Sequence, residues 1–286
     1  MEMNIQKFRA LSETVRLGSF TKAARSLNYS QSGISRMIAD LEKDWKVTLL
    51  ERSRSGVALS GDGVRLMPHI EAVCADFERL ESEVAAINGF SSGTIRIGTI
   101  SSVATHWLPG VIKNFEENYP EVDYKLRMGD YTEIESWVAA GTVDCGFIAR
   151  KPHDPTLSFE ELRQDELFAI LPKDHELAAK ETIDVKDLCT EPFLLLKQGT
   201  DDETGMVFEG TGLEPDIFFE TWDDYVIMSM VESGLGLAVL PALILKRHPY
   251  RLAVKHLTHR KYRTIYVVHR QPQVLSKVCS EFLRYL

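Results

Sequence analysis

The chain has 286 residues, 44% hydrophobic and 26% charged, a balance that excludes a disordered polymer and supplies core for about two domains of roughly 150 residues. Its formal net charge of −9 argues, taken whole, against a nucleic-acid partner, because an acidic field repels phosphates. Counted by segment the inference reverses: residues 1–66 carry eleven Lys/Arg against seven Asp/Glu, a local +4 that leaves −13 on the remainder, as in a small basic module joined to an acidic body.

Cys74, Cys145, Cys189 and Cys279 form no C-x-x-C pair, so they read as reduced, mostly buried thiols rather than a zinc site or a disulfide framework. The amino-terminal segment lacks the basic start and apolar run of a signal peptide. The longest apolar run, Leu235 to Leu245, is about half of the ~20 residues a membrane span needs. The expectation is a cytoplasmic protein without membrane association.

Ile5, Phe8, Leu11 and Val15 recur at helical spacing and stop at Gly18, a natural helix terminator. A second helix is expected near Ser19-Phe20-Thr21, capped by Thr21, with Ala23, Ala24 and Leu27 on its inner face. The polar break Asn28-Tyr29-Ser30 supplies a turn. Ser30 then caps a third helix that turns Ile34, Ile38 and Leu41 inward and Gln31, Ser32, Ser35 and Arg36 outward. Two helices joined this way, with amide, hydroxyl and guanidinium groups opening the second, have the chemistry of a helix-turn-helix reader. An ordinary three-helix subdomain with a solvated polar face is the alternative. The basic turn Glu51-Arg52-Ser53-Arg54-Ser55-Gly56 before Val57-Ala58-Leu59 reads as a wing against a DNA backbone.

The stretch Ser19-Phe20-Thr21-Lys22-Ala23-Ala24-Arg25-Ser26-Leu27-Asn28-Tyr29-Ser30-Gln31-Ser32-Gly33-Ile34-Ser35-Arg36, followed by Leu41-Glu42 and Leu50-Glu51-Arg52, resembles the DNA-binding motif of LysR-type transcriptional regulators. Ser32, Gly33, Trp45-Lys46 and Ser60 depart from the usual pattern, and none removes an expected DNA contact. The resemblance implies double-stranded DNA as partner, with Thr21, Ser30, Gln31, Ser32, Ser35, Arg36, Arg52 and Arg54 as its contacts. It implies neither enzymatic activity nor a cofactor, and adds RNA polymerase as a further partner.

Leu66, Ile70, Val73, Phe77, Leu80, Val84 and Ile87 alternate spacings of four and three, a coiled-coil seam on a long helix. Such a stripe needs either a second copy or its own chain to pack on. Pro68 is expected to kink or restart it. The family pairs through a linker helix here, as dimers or tetramers.

Beyond Asn88 short apolar runs alternate with helical stretches, as in a mainly parallel sheet covered by helices. Strands are expected at 94–100, 122–128, 145–149, 167–171, 193–196, 216–219, 237–240, 251–256 and 264–269. Helices are expected over 132–140, after Asp201, over 225–231 and over 274–286. A chain that leaves for a second lobe and returns resembles the two-lobed periplasmic-binding-protein fold, which is also the effector domain of this family. The fold class is α/β: a winged helix-turn-helix over 1–59, a long linker (dimerisation) helix over 60–88, and an effector-binding domain over 93–286, with lobe I at 93–162 and 265–286 and lobe II at 163–264.

Ligands of such folds bind beyond the carboxyl ends of strands and between lobes. Ser101, Ser102, Tyr131, Thr132, Phe147, Ile148, Gln198 and Thr200 follow or end strands, and by the resemblance they line an effector cleft. Each is equally readable as a helix cap or strand end. Asp201, Asp202, Glu203, Asp223 and Asp224 read first as helix N-terminal charges, with selection of a cationic effector as the less favoured alternative. Gly89-Phe90-Ser91-Ser92-Gly93 fits G-x-S-x-G, but a helix before it and a strand after it are the wrong context for a nucleophile elbow. No phosphate-loop, dinucleotide or H-E-x-x-H motif occurs, and no metal set can be assembled. The expected function is a ligand-responsive regulator binding inverted-repeat operator DNA. The alternative is an intracellular solute-binding protein or small-molecule enzyme on the same two-lobed fold, which leaves residues 1–88 unexplained.

Overall fold

The computed structural model describes residues 4–53, 56–87, 93–197, 199, 204–271 and 275–286, with only the backbone of Arg52, Ser53 and Ala86. The chain divides into two compact units: residues up to Thr94 with 121–123 and 140–143, and the remainder.

In the first unit α1 (Ile5–Leu17) opens on Asn4, whose side chain accepts from the Gln6 N–H, and closes on Gly18 at φ 61°. α2 (Phe20–Ser26) is capped by Ser19 and not by Thr21. A capping oxygen must sit before the first turn to reach its free N–H groups, and Thr21 is already helical. α3 (Gln31–Trp45) is capped by Ser30, which accepts from the Gly33 N–H at 3.0 Å. β1 (Leu50–Ser53) and β2 (Gly56–Leu59) form an antiparallel hairpin. Glu42 near the end of α3 accepts from the Leu49 and Leu50 N–H groups at 2.7 and 3.1 Å, tying hairpin to helix. The core joins Leu11, Ala23, Ala24, Ile34, Ile38 and Leu49, all nearly sealed from solvent. Side chains as small as Ala23 and Ala24 let the helices approach closely.

α4 (Gly61–Ile87) is one continuous helix that contains Pro68, so the chain does not restart there. Proline removes one helical hydrogen bond at a cost of ~3 kcal/mol. Burial of Met67, Ile70 and Cys74 in the same core offsets that cost. At Gly63 a Cβ would lie 2.2 Å from the Leu49 carbonyl oxygen, so the start of α4 meets the hairpin only through glycine. The apolar stripe of α4 divides. Its early part, Leu66 and Ile70, packs on its own chain, whereas Val73, Leu80, Val84 and Ile87 stand 46–83% exposed.

After α4 the chain runs, in order, through β3 (Gly93–Thr99), α5 (Ser101–His106), α6 (Leu108–Glu116), β4 (Val122–Met128), α7 (Tyr131–Ala140), β5 (Cys145–Ile148), β6 (Ser158–Pro172), β7 (Thr182–Ile183), α8 (Val185–Leu188), β8 (Pro192–Leu196), β9 (Asp216–Thr221), α9 (Asp224–Glu232), β10 (Leu237–Pro241), α10 (Ala242–Leu245), β11 (Leu252–Leu257), β12 (Tyr262–His269) and α11 (Lys277–Leu283), most of it in the second unit. The strand order is β4-β3-β5-β12-β6-β10-β8-β9, with β11 and then β7 added beside β6. β3 with β5, and β8 with both β9 and β10, are parallel. β12 with β5 and β6, and β6 with β10 and β11, are antiparallel. The sheet is therefore mixed rather than mainly parallel, because the outgoing and returning strands lie side by side.

β6 is fifteen residues long, not five. Its first half pairs with β12, and its second half with β10 and β11. The first half is mostly exposed and polar (Glu160, Glu161, Arg163, Gln164) and carries no apolar run to announce it. The expected lobe boundaries at 162/163 and 264/265 fall inside β6 and β12. The second half is buried on both faces: Leu167, Ala169 and Leu171 meet Phe193 and Val239 on one side, and Ile170 meets Ile227, Met228 and Val231 of α9 on the other. A short 3₁₀ turn at Gly205–Val207 stands where a helix was expected after Asp201; residues 201–203 lie outside the described residues. The last helix is shorter than 274–286. The G-x-S-x-G stretch lies outside the described residues apart from Gly93, with α4 before it and β3 after it. Cys74, Cys145 and Cys279 are buried and Cys189 half-buried. The neighbouring Cys279 thiol, with burial, pushes the Cys145 thiol well above its ordinary value, which leaves it protonated and unreactive.

Where β6 and β12 cross, Arg263 donates from Nε and Nη2 to Asp165 Oδ2 at 2.9 and 2.7 Å. It also donates from Nη2 to the Ser102 hydroxyl at 2.9 Å. Asp165 Oδ1 accepts from the Leu243 N–H of α10 at 2.9 Å. Both side chains are almost fully buried. Truncating one partner leaves the other as an uncompensated buried charge, so Arg263→Ala is expected to cost ~3–5 kcal/mol in urea unfolding. A loss below ~1 kcal/mol would show that the pair is not a structural tie.

Candidate functional site

The first candidate surface is the start of α3. Ile34, Ile38 and Leu41 are buried on one side. The opposite side presents Gln31, Ser32 and Arg36, all exposed, with Ser35 half-buried. Gln31 with Ser35, and Ser32 with Arg36, stand one turn apart, so the four share one face. Arg36 is 86% exposed and only 4.0 Å from Asp40, an ion pair too loose and wet to hold the guanidinium. Ser30 caps the helix and its hydroxyl lies 3.1 Å from that of Ser32. Asn28 at φ 57° makes the turn, a left-handed conformation that asparagine tolerates. Thr21 is exposed on α2, and Lys22, Arg25 and Tyr29 are exposed as well, three residues outside the contacts that the resemblance implies. Arg52 lies on β1, where only its backbone is described, and Arg54 lies outside the described residues.

The second candidate is a cavity of about 760 Å³ in the second unit, lined by Ser101, Met128, Gly129, Asp130, Glu133, Lys197, Gly199, Glu220, Thr221 and Trp222. These residues follow or end β3, β4, β8 and β9, at the carboxyl edge where open α/β sheets receive ligands. Ser101 donates to Asp224 Oδ2 at 2.9 Å. Gly199, at φ 65°, approaches Asp130 so closely that a Cβ would lie 2.5 Å from Asp130 Oδ2.

The polar groups of the cavity are largely engaged. Asp130 Oδ1 accepts from the Glu133 N–H at 2.8 Å, and Glu133 Oε2 accepts from the Asp130 N–H at 3.1 Å, a reciprocal cap on α7. Asp223 caps α9, accepting from the Tyr225 and Val226 N–H groups. Lys197 pairs with Glu220 at 3.3 Å. Trp222 is 66% and Met128 55% exposed.

Of the expected effector residues, Ser101 alone among the described ones lines this cavity. Ser102 is buried and bonded to Arg263. Tyr131, Phe147 and Ile148 are at most 1% exposed, and Thr132 is exposed on α7 without lining the cavity. Gln198 and Thr200 lie outside the described residues. After β4 the cavity is lined by Met128, Gly129, Asp130 and Glu133 rather than by Tyr131 and Thr132, and no residue of β5 lines it. Met128, Asp130, Glu133, Glu220 and Trp222 line the cavity and stand outside the expected set; a tryptophan three residues beyond the strand expected at 216–219, between Glu220 and Asp223, was the available signal. Among the described residues no group of His, Cys, Asp and Glu is arranged to hold a metal. No described helix is long and apolar enough to cross a membrane.

A family model described as a bacterial regulatory helix-turn-helix protein of the lysR family matches residues 5–64, and one described as the LysR substrate binding domain matches residues 88–286. The chain is 29% identical over 266 residues to the HTH-type transcriptional regulator YvbU of Bacillus subtilis, spanning 92% of this chain and 90% of that one. It is 30% identical over 234 residues to the HTH-type transcriptional regulator YybE of the same organism, spanning 80% and 79%. The fold superposes on CbnR, a LysR family transcriptional regulator, with TM-score 0.77 at 20% identity over 99% and 98% of the two chains. The basic helix-turn-helix unit, the mixed two-lobed sheet with its cavity at the strand ends, and these matches together place the chain in the LysR family, whose members are transcriptional regulators and not enzymes.

Proposed function

We propose that this LysR regulator acts in the cytoplasm, binding an inverted-repeat operator as a dimer or tetramer and sensing a small molecule in the cavity at the ends of β3, β4, β8 and β9. The observation that carries the DNA reading is the exposed Gln31–Ser32–Ser35–Arg36 face at the capped start of α3. Gln31 and Arg36 have the donor and acceptor sets to read base edges, while Thr21, Ser30, Ser32, Ser35 and the wing residues Arg52 and Arg54 hold phosphates. RNA polymerase is the further partner of such a regulator at a promoter.

Self-association is carried by the late part of α4, where Val73, Leu80, Val84 and Ile87 share the exposed stripe. Two copies packed along it would present two reading heads to two half-sites. Residues 1–59 then form the DNA-binding domain, 60–88 the linker, and 93–286 the effector domain, with lobe I at 93–162 and 265–286. An effector that binds one lobe arrangement better shifts the balance between arrangements, and its leverage is bounded by its differential affinity for them.

Arg36→Ala is expected to weaken binding to the chain's own upstream DNA by ~1–3 kcal/mol in a titration at fixed salt; unchanged affinity would remove Arg36 from base reading. A Leu80→Glu/Val84→Glu double variant should sediment as a smaller species than the wild-type chain at equal concentration, with its circular dichroism intact. An unchanged sedimentation coefficient would place the interface elsewhere.

A further inference from the structure

We infer that the cavity takes a cationic, amine-bearing small molecule with an apolar body, a deepening that rests on the cavity being the effector site. Among its described lining residues three carboxylates, Asp130, Glu133 and Glu220, accompany one cation, Lys197. Lys197 is already within 3.3 Å of Glu220.

An anionic ligand at strand ends is ordinarily held by the free N–H groups of helix N-termini. At two of the helix starts such donors are taken by the chain itself: Asp130 and Glu133 cap α7 reciprocally, and Asp223 accepts from two N–H groups of α9; α5, which opens at Ser101, has no side-chain cap. The Ser101 hydroxyl is directed at Asp224. A carboxylate entering beside α7 and α9 would meet engaged donors and like charge. An ammonium group would meet carboxylate oxygens that retain lone pairs, since each accepts few of the bonds it can take.

The second observation is Trp222, which lines the same cavity with 66% of its surface exposed. An indole face is the best aromatic partner for a cation, and leaving so large a ring to solvent has no packing benefit. With Met128, it supplies an apolar wall for the ligand's carbon skeleton, whereas Asp130 and Glu220 supply the charge. This is the lining expected of an alkyl diamine or an arylalkylamine.

The test uses the full chain and matched pairs at one ionic strength: 1,4-diaminobutane against succinate, and phenethylamine against phenylacetate. Thermal stabilisation and titration calorimetry report binding, and operator affinity is measured on the same samples. An amine is expected to raise the melting temperature while its carboxylate counterpart does not. Trp222→Ala is expected to weaken amine binding roughly five- to thirtyfold, and Glu220→Gln to weaken it as well, with ligand-free stability and operator affinity unchanged in both variants. Stabilisation by a carboxylate, by neither member of either pair, or by an amine whose affinity survives both substitutions overturns the assignment. Specific operator binding without an amine response overturns the amine class and leaves the regulator reading intact; absence of specific operator binding overturns that reading whatever the amines do.

Discussion

The buried Asp165–Arg263 pair is the constraint on which the second unit depends. A two-lobed sheet built from one chain must send a strand out and bring one back, and β6 and β12 do so side by side. A charge pair sealed from water at that crossing is unfavourable unless every lone pair and proton is used. Here they are used structurally: Arg263 bonds Asp165 and Ser102, and Asp165 also receives the N–H that starts α10. One pair therefore sets the register of the two crossing strands and fixes the start of α5 and of α10. Ser101, the neighbour of Ser102, lines the cavity and reaches Asp224. The geometry of the strand ends is thus tied within two residues to the crossing.

Two kinds of helix cap explain how a chain of net charge −9 carries a surface suited to DNA. α2 and α3 are capped by serine and have no acidic residue in the first turn, so their partial positive ends remain open to phosphate. α7 and α9 carry Glu133 and Asp224 in the first turn and are flanked by Asp130 and Asp223. Their N–H groups are filled internally and the surroundings are acidic.

The helix-turn-helix was legible because its determinants are local. Gly18, Ser30 and the apolar spacing of Ile34, Ile38 and Leu41 each act within a turn or two of themselves. Even there the cap of α2 moved from Thr21 to Ser19, a difference settled by where the first turn begins rather than by residue type. Pro68 does not end its helix, whose neighbouring Met67 and Ile70 are buried in the N-terminal core, a contact the local rule does not weigh. The stripe of α4 was visible, but its division into a half packed on its own chain and an exposed half depends on where the N-terminal core ends. The cavity was least legible. Its residues come from four strand ends brought together by pairings between distant segments, and one long strand has a polar first half. Tyr131, Phe147 and Ile148 look like cavity residues by their place after strands, yet they face the core.

The most direct measurement is nuclease footprinting of the full chain on its own upstream DNA. Two protected half-sites related by inverted symmetry, with centres one helical turn of ~10.5 base pairs or a multiple of it apart, are the predicted result. A single protected half-site, or no protection above that seen on an unrelated duplex, would contradict a reader that presents paired α3 helices to DNA.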